Sequence, residues 1–121
     1  MANRPERVAS LLREEIGSIL VRDYGDRTRG FTTVTDVEMS ADLRSAKVFI
    51  SVLGSPEVQQ ETMAMLEGEK GHIRGMIGSR IRLRFTPELQ FVHDTTLDRV
   101  DRINSLIKKI HDDGDEQHGN H

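Results

Sequence analysis

Apolar residues recur every three or four positions over the first twenty residues, and this spacing predicts an amphipathic helix. The pattern begins just after Arg4-Pro5, where a proline is tolerated because the first amides of a helix have no intrahelical partner. The residues predicted to face the core are Val8, Leu11, Leu12, Ile16, Ile19 and Leu20.

Alternation with a period of two then predicts three strands. The first runs from Phe31 to Met39, which is rich in Thr and Val. The second is the clearest, with Ala46, Val48, Ile50 and Val52 alternating with Lys47, Phe49 and Ser51. The third is predicted from Leu83, Phe85, Leu89 and Phe91, with Pro87 imposing an irregularity or an edge position.

Helical spacing returns between the second and third strands. Ser55-Pro56-Glu57 is a typical helix start, and this helix is predicted to run to about Glu67. After a glycine pair, Ile73, Met76, Ile77 and Ile81 indicate another helix. A last helix is predicted from about Thr96, with Leu97, Val100, Ile103, Ile107 and Ile110 facing inward.

This order predicts an α+β fold of two layers, in which a right-handed helical crossover joins the second and third strands and the helices cover one sheet face. Alternation then places Lys47, Arg82 and Arg84 on the open face. There they either remain available to a partner or pair across the sheet with Asp36 or Glu38.

Composition limits the alternatives. A chain of 121 residues forms one domain, and the absence of cysteine excludes disulfides and cysteine chemistry. No apolar stretch approaches the ~20 residues of a membrane span, so we expect a cytoplasmic protein without a membrane partner. The net charge of −3 includes four acids in the last ten residues. Seventeen Lys and Arg against sixteen Asp and Glu leave about +1 for residues 1–111, predicted to form the domain, while residues 112–121 are predicted to be a disordered acidic tail.

The candidate chemistry lies at Gly68-Glu69-Lys70-Gly71 and in the window that follows. From Lys70 to Arg84 there are five basic residues and no carboxylate. Bare backbone beside positive charge suits a phosphate-rich partner. The alternative is a helix C-cap followed by a solvated basic face. A second GxxG, Gly75-Met76-Ile77-Gly78, is interpreted as core packing because Met76 and Ile77 lie on the apolar stripe.

Several segments, in this order and spacing, resemble the bacterial ribosome-binding factor A family over nearly all of residues 4–110. They are Arg4-Pro5-Glu6-Arg7-Val8-Ala9, Thr32-Thr33-Val34, Val37-Glu38-Met39-Ser40, Asp42-Leu43, Ala46-Lys47-Val48, Gly71-His72-Ile73-Arg74, Arg82-Leu83-Arg84 and Pro87-Glu88-Leu89. The resemblance implies a type II KH-like fold, α-β-β-α-kink-α-β plus a C-terminal helix. That family carries an Ala-x-Gly kink where this chain has Glu69-Lys70-Gly71. Because Gly68 also restores a GxxG register, both a tight kink and an open loop are compatible with the sequence.

The resemblance further implies a non-catalytic factor that binds 16S rRNA and the free or immature 30S subunit and assists late 16S rRNA maturation. Cold-sensitive growth on its loss and release by an assembly GTPase are also family expectations. We expect a monomer that needs no cofactor and no metal. The residues expected to contact RNA are Gly68, Lys70, Gly71, His72, Arg74, Arg80, Arg82 and Arg84, with Arg4, Arg7 and Lys47 as a secondary set.

Two further hypotheses concern the kind of function. An enzyme is disfavoured because the sequence has no nucleophile motif and its GxxG lacks the Gly-Lys-Ser/Thr ending of a P-loop. A protein–protein adaptor on the same scaffold remains open, as do solvent-facing roles for Arg74 and Arg80. With one Tyr and four Phe, RNA recognition is expected to depend on shape and backbone more than on base stacking.

Overall fold

The computed structural model describes residues 4–25 and 31–96. Its elements follow the predicted order and are α1 (Arg4–Tyr24), β1 (Phe31–Met39), β2 (Ser45–Leu53), α2 (Pro56–Gly68), α3 (Lys70–Arg80) and β3 (Glu88–His93). The predicted last helix and the acidic tail fall on residues 97–121, outside the described residues.

The three strands form one sheet in the order β1-β2-β3. β1 and β2 are antiparallel neighbours, and β2 and β3 are parallel, so the chain crosses from β2 to β3 through α2 and α3. The predicted helical crossover between parallel strands is therefore confirmed. A bulge between Val34 and Asp36 shifts the β1–β2 register, and Thr35 at this bulge donates its hydroxyl to Asp94 Oδ2 at 2.7 Å.

Alternating residues of β2 build the floor of the core. Ala46, Val48, Ile50 and Val52 are at most 2% exposed, and Leu89 and Phe91 of β3 lie on the same face. From the helices, the fully buried side chains include Leu12, Ile16, Ile19, Leu66, Ile73 and Ile77. Removing each such side chain from water contributes roughly 1.5–3 kcal/mol. Leu11, predicted to be buried, is 48% exposed.

Among the described residues, none of the helices combines the length and apolar character that a membrane crossing requires.

The predicted third strand is wrong at its beginning. Leu83 and Phe85 lie in an irregular segment, 81–87, and β3 starts only at Glu88. Pro87 has no N–H to donate to a neighbouring strand, and its carbonyl is bonded to a side chain of α3. Arg82 and Arg84 therefore do not lie on the open sheet face. On that face Glu38 is the neighbour of Lys47 and Asp36 that of Phe49 in the β1–β2 register, so the alternative in which Arg82 or Arg84 pairs with Glu38 or Asp36 is also wrong.

The segment 81–87 and the turn between β1 and β2 share one edge of the molecule. Parallel strands begin at the same edge, and the register pairs Ser45 with Glu88. The Glu88 amide donates to the Arg44 carbonyl at 2.8 Å, which joins the two segments directly. In the turn, the Asp42 carboxylate accepts from the Ser40 hydroxyl at 2.6 Å and the Arg44 amide at 3.1 Å.

Candidate nucleic-acid interface

The junction between α2 and α3 is a tight kink. Glu69 alone separates the two helices, with φ −97 and ψ 4. Its amide donates to the Met65 and Leu66 carbonyls, and its carbonyl accepts from the Ile73 amide at 2.9 Å, so helical bonding continues on both sides. The open four-residue loop that the GxxG register allowed is not formed.

A buried tyrosine anchors this kink. Tyr24, the last residue of α1, is 2% exposed and donates its hydroxyl to Glu69 Oε1 at 2.9 Å. The Glu69 side chain makes no capping bond to α3. The first amides of an α-helix have no partner within the helix and lie at the positive end of its dipole. The N-terminus of α3 is therefore electropositive and uncapped by this side chain.

The two glycines beside the kink leave its backbone bare. Gly68 and Gly71 are exposed, and a Cβ built on either would meet no other atom within 4 Å. Neither has a positive φ, so a left-handed backbone does not explain them. What they provide is close access to the backbone, which suits the approach of a sugar–phosphate chain.

Lys70 and His72 lie in the first turn of α3. The Lys70 ammonium pairs with Glu67 Oε1 one turn earlier, and His72 is exposed. A pair of this kind on a helix surface stabilises by a few tenths of a kcal/mol. The Lys70 ammonium can therefore leave the Glu67 carboxylate and bind a phosphate with little loss of folding stability.

Two of the predicted RNA-contacting arginines are engaged within the protein. Arg74 Nε donates to the Pro87 carbonyl and Arg74 Nη2 to the Thr86 carbonyl, both at 2.9 Å, and Nη2 lies 3.5 Å from Glu88. Arg80 Nη1 bonds to Glu15 Oε1 at 3.1 Å and joins α3 to α1. These contacts give both arginines a part in packing, while their contact with RNA stays a prediction.

Arg82 and Arg84 are exposed in the segment before β3. Within residues 4–25 and 31–96 neither forms an ion pair. The Arg84 guanidinium lies 5.5 Å from the centre of the Phe85 ring. Both side chains are thus available to an anionic partner.

The predicted residues do not form one continuous surface. The kink patch comprises Gly68, Lys70, Gly71 and His72. The Tyr24–Glu69 bond joins the end of α1 to the start of α3, and the Arg80–Glu15 bond joins the end of α3 to the middle of α1, so the two helices run antiparallel. Arg4, at the start of α1, lies with Arg84 and Arg44 away from the kink. The 21 residues of α1 place its start at Arg4 about 30 Å from its end at Tyr24, beside the kink. Arg7 is exposed one turn into α1, and Lys47 lies apart, exposed on the sheet face turned away from α1, α2 and α3.

Arg44, the exposed Phe85 and the Tyr24 anchor were not predicted from the sequence. The signal for the first two was the parallel pairing itself, since it brings the residues before β2 next to those before β3. The second GxxG, Gly75 to Gly78, contributes to packing, as the sequence predicted. Ile77 is buried, Met76 is half-buried, and a Cβ built on Gly78 would lie 2.9 Å from Thr86 Oγ1.

Comparison with known proteins agrees with the fold. A family model described as Ribosome-binding factor A matches residues 4–107. The ribosome-binding factor A of Halothermothrix orenii is 47% identical over 107 residues, covering 88% of each chain.

Two structures of the Thermus thermophilus ribosome-binding factor A, each 19% identical, share the fold. The crystal structure gives a TM-score of 0.64 over 75% of this chain and 97% of that one. A homology model fitted into a cryo-EM map of a 30S complex of that protein gives 0.60, over 71% and 90%. This likeness confirms the predicted two-layer, KH-like architecture, and with the sequence match over residues 4–107 it establishes that the chain belongs to the ribosome-binding factor A family.

Proposed function

We propose that this protein is a non-catalytic assembly factor that binds the small ribosomal subunit in the cytoplasm. The observation that carries the proposal is the family match over residues 4–107. Its support includes the Thermus thermophilus relative, which has been placed in a 30S complex. We further propose that the chain contacts 16S rRNA, assists its late maturation, acts as a monomer and is released with the help of an assembly GTPase.

The geometry supports contact with the backbone of folded RNA. The kink patch offers bare backbone, a helix N-terminus and Lys70. Arg82 and Arg84 add exposed guanidinium groups toward the other end of α3. Groups that bind phosphate but read no base edge fix position on an RNA without selecting sequence. α3 has 11 residues and is about 16 Å long, so a partner that contacts both of its ends must span at least this distance, which fits a folded RNA surface.

Salt dependence tests this proposal. With three to five phosphate contacts, the logarithm of the association constant for small-subunit particles should fall with the logarithm of salt concentration with a slope of about −2 to −4. Filter binding or analytical ultracentrifugation over a range of salt concentrations measures this slope. A flat response would contradict direct binding to the RNA backbone.

A protein–protein adaptor is the second candidate, and one observation favours it. Phe31 and Leu53 are cross-strand neighbours on the sheet face turned away from α1, α2 and α3, and they are 70% and 40% exposed. An exposed apolar pair of this kind can bury surface against a protein partner. Under this alternative, Phe31→Ser would abolish subunit binding and salt would have little effect.

A further inference from the structure

The edge shared by the β1–β2 turn and the segment before β3 holds a cleft of about 350 Å³. It lies at the opposite end of α3 from the kink patch. Its lining combines three arginines, an aromatic ring and two aliphatic side chains: Arg4, Arg44, Arg84, Phe85, Leu43 and Leu83, with Asp42 at its rim. We call it the arginine cleft.

Phe85 is the unusual member of this cleft. Its side chain is 52% exposed, although burying a phenyl ring is normally favourable. The Arg44 guanidinium lies 5.2 Å and the Arg84 guanidinium 5.5 Å from the ring centre. Two like charges thus converge on one exposed ring.

The cleft carries more positive than negative charge, because three arginines share it with one carboxylate, Asp42. In the part of the chain that the structure describes, Arg4, Arg44 and Arg84 form no ion pair. Asp42 accepts from the Ser40 hydroxyl and the Arg44 amide, and these two bonds hold the pKa of its carboxyl below the ordinary value. The charge of Arg44 also lowers this pKa, so the ionised Asp42 offsets part of the positive charge of the cleft without forming an ion pair. An anion placed among the three guanidinium groups would relieve their mutual repulsion.

The cleft is also rigidly built. Arg74 donates hydrogen bonds to the carbonyls of Thr86 and Pro87, which directly follow Phe85, and Pro87 is fully buried. The bond from the Glu88 amide to the Arg44 carbonyl fixes the other wall. A binding site preorganised in this way loses little conformational entropy when a ligand enters.

From these observations we infer that the arginine cleft binds one unpaired nucleotide of single-stranded RNA. The phosphate contacts the guanidinium groups, and the base packs on the exposed Phe85 ring. This inference rests on the proposed function, because it assumes an RNA partner, but it adds a distinct contact at the far end from the kink. It also amends the expectation that base stacking is minor, since the structure exposes one ring among arginines.

The test uses the full chain and fluorescein-labelled hexa-adenylate, with binding followed by fluorescence anisotropy. Phe85→Ala should raise the Kd about tenfold or more, because stacking on an aromatic ring contributes substantially per base, and Phe85→Tyr should restore binding. Phe31→Ala, which removes another exposed ring (70% exposed, against 52% for Phe85) far from the cleft on β1, is the control and should leave the Kd for hexa-adenylate unchanged. Arg84→Gln should reduce the magnitude of the salt slope by about 1.

The outcomes separate the two proposals. If the wild-type chain binds 30S subunits but not hexa-adenylate, or if Phe85→Ala and Phe31→Ala behave alike, the nucleotide site is refuted and the proposed function stands. If a heparin hexasaccharide competes fully and Phe85→Ala has no effect, the cleft is only a polyanion surface and the inference fails. If the wild-type chain does not bind 30S subunits at all, the proposed function fails independently.

Discussion

Arg74 provides the sharpest test of how this fold is held together. Its side chain is 32% exposed, and it donates one hydrogen bond from Nε and one from Nη2 to two backbone carbonyls. Hydrogen bonds from a charged donor contribute about 1.5–3 kcal/mol each when buried. Because this group is partly solvated, we take about 1 kcal/mol for each bond. The ion pair with Glu88 is taken to contribute nothing to the free energy of unfolding, because that carboxylate is 73% exposed.

Arg74→Ala should therefore lower the free energy of unfolding by about 2 kcal/mol. For a domain of roughly 100 residues, 1 kcal/mol corresponds to about 5 °C, so the Tm should fall by roughly 10 °C. Arg74→Lys should recover less than half of this loss, because one ammonium cannot reproduce the two parallel bonds of a guanidinium. Differential scanning calorimetry measures both changes.

Glu88→Gln is the matched control, since it removes only the exposed ion pair and should shift the Tm by less than about 2 °C. An Arg74→Ala protein that melts within 2 °C of the wild type would refute the packing role of this side chain. Subunit binding by the same variant, measured well below its Tm, separates a contribution to RNA contact from one to folding.

Three other changes test the kink, the third helix and the β1–β2 turn. Tyr24→Phe removes the hydroxyl that donates to the kink residue and should destabilise by about 1 kcal/mol, measured by urea unfolding. Gly75→Ala should stabilise α3 by about 0.5–1 kcal/mol, because the new Cβ would meet no other atom within 4 Å. Gly78→Ala should give no such stabilisation, because its Cβ would lie only 2.9 Å from the Thr86 hydroxyl. Equal effects of the two would contradict the packing described. The Asp42 carboxyl has a folded-state pKa below its ordinary value, chiefly because the Ser40 hydroxyl donates a hydrogen bond to it. Its contribution to folding stability is therefore present above about pH 4 and is lost as the pH falls through the folded-state pKa. Acid titration of Asp42→Asn should therefore show a shallower loss of stability in that range, and an identical profile would contradict this assignment.

Local patterns were sufficient to predict most of the elements. The alternation from Ala46 to Val52 specifies a strand with one buried face, and Ser55 caps α2 by accepting from the Val58 amide. Each of these signals acts over a few residues. This is why the order of helices and strands could be predicted before the sheet was known.

Long-range contacts set what the sequence could not show. Leu83 and Phe85 alternate with arginines as in a strand. The carbonyls of Thr86 and Pro87 that follow them, however, accept hydrogen bonds from Arg74 of α3. Arg80 meets Glu15, 65 positions away. A count of basic residues along the chain cannot tell which of them find partners in the fold.

The candidate interface was only partly predicted, because it too depends on contacts between residues far apart in the chain. The glycines beside the kink are visible in the sequence, but Glu69 is held by Tyr24, 45 positions away. The arginine cleft depends on Arg44 and Phe85 meeting across parallel strands. Neither residue carries a motif that marks it in isolation.

Co-sedimentation with purified ribosomal particles tests the central claim most directly. The wild-type protein should pellet with free 30S subunits at low salt, dissociate as salt is raised, and associate less with intact 70S ribosomes, as expected for a factor that acts during assembly. Binding that is equal for 30S and 70S particles and insensitive to salt would contradict the account.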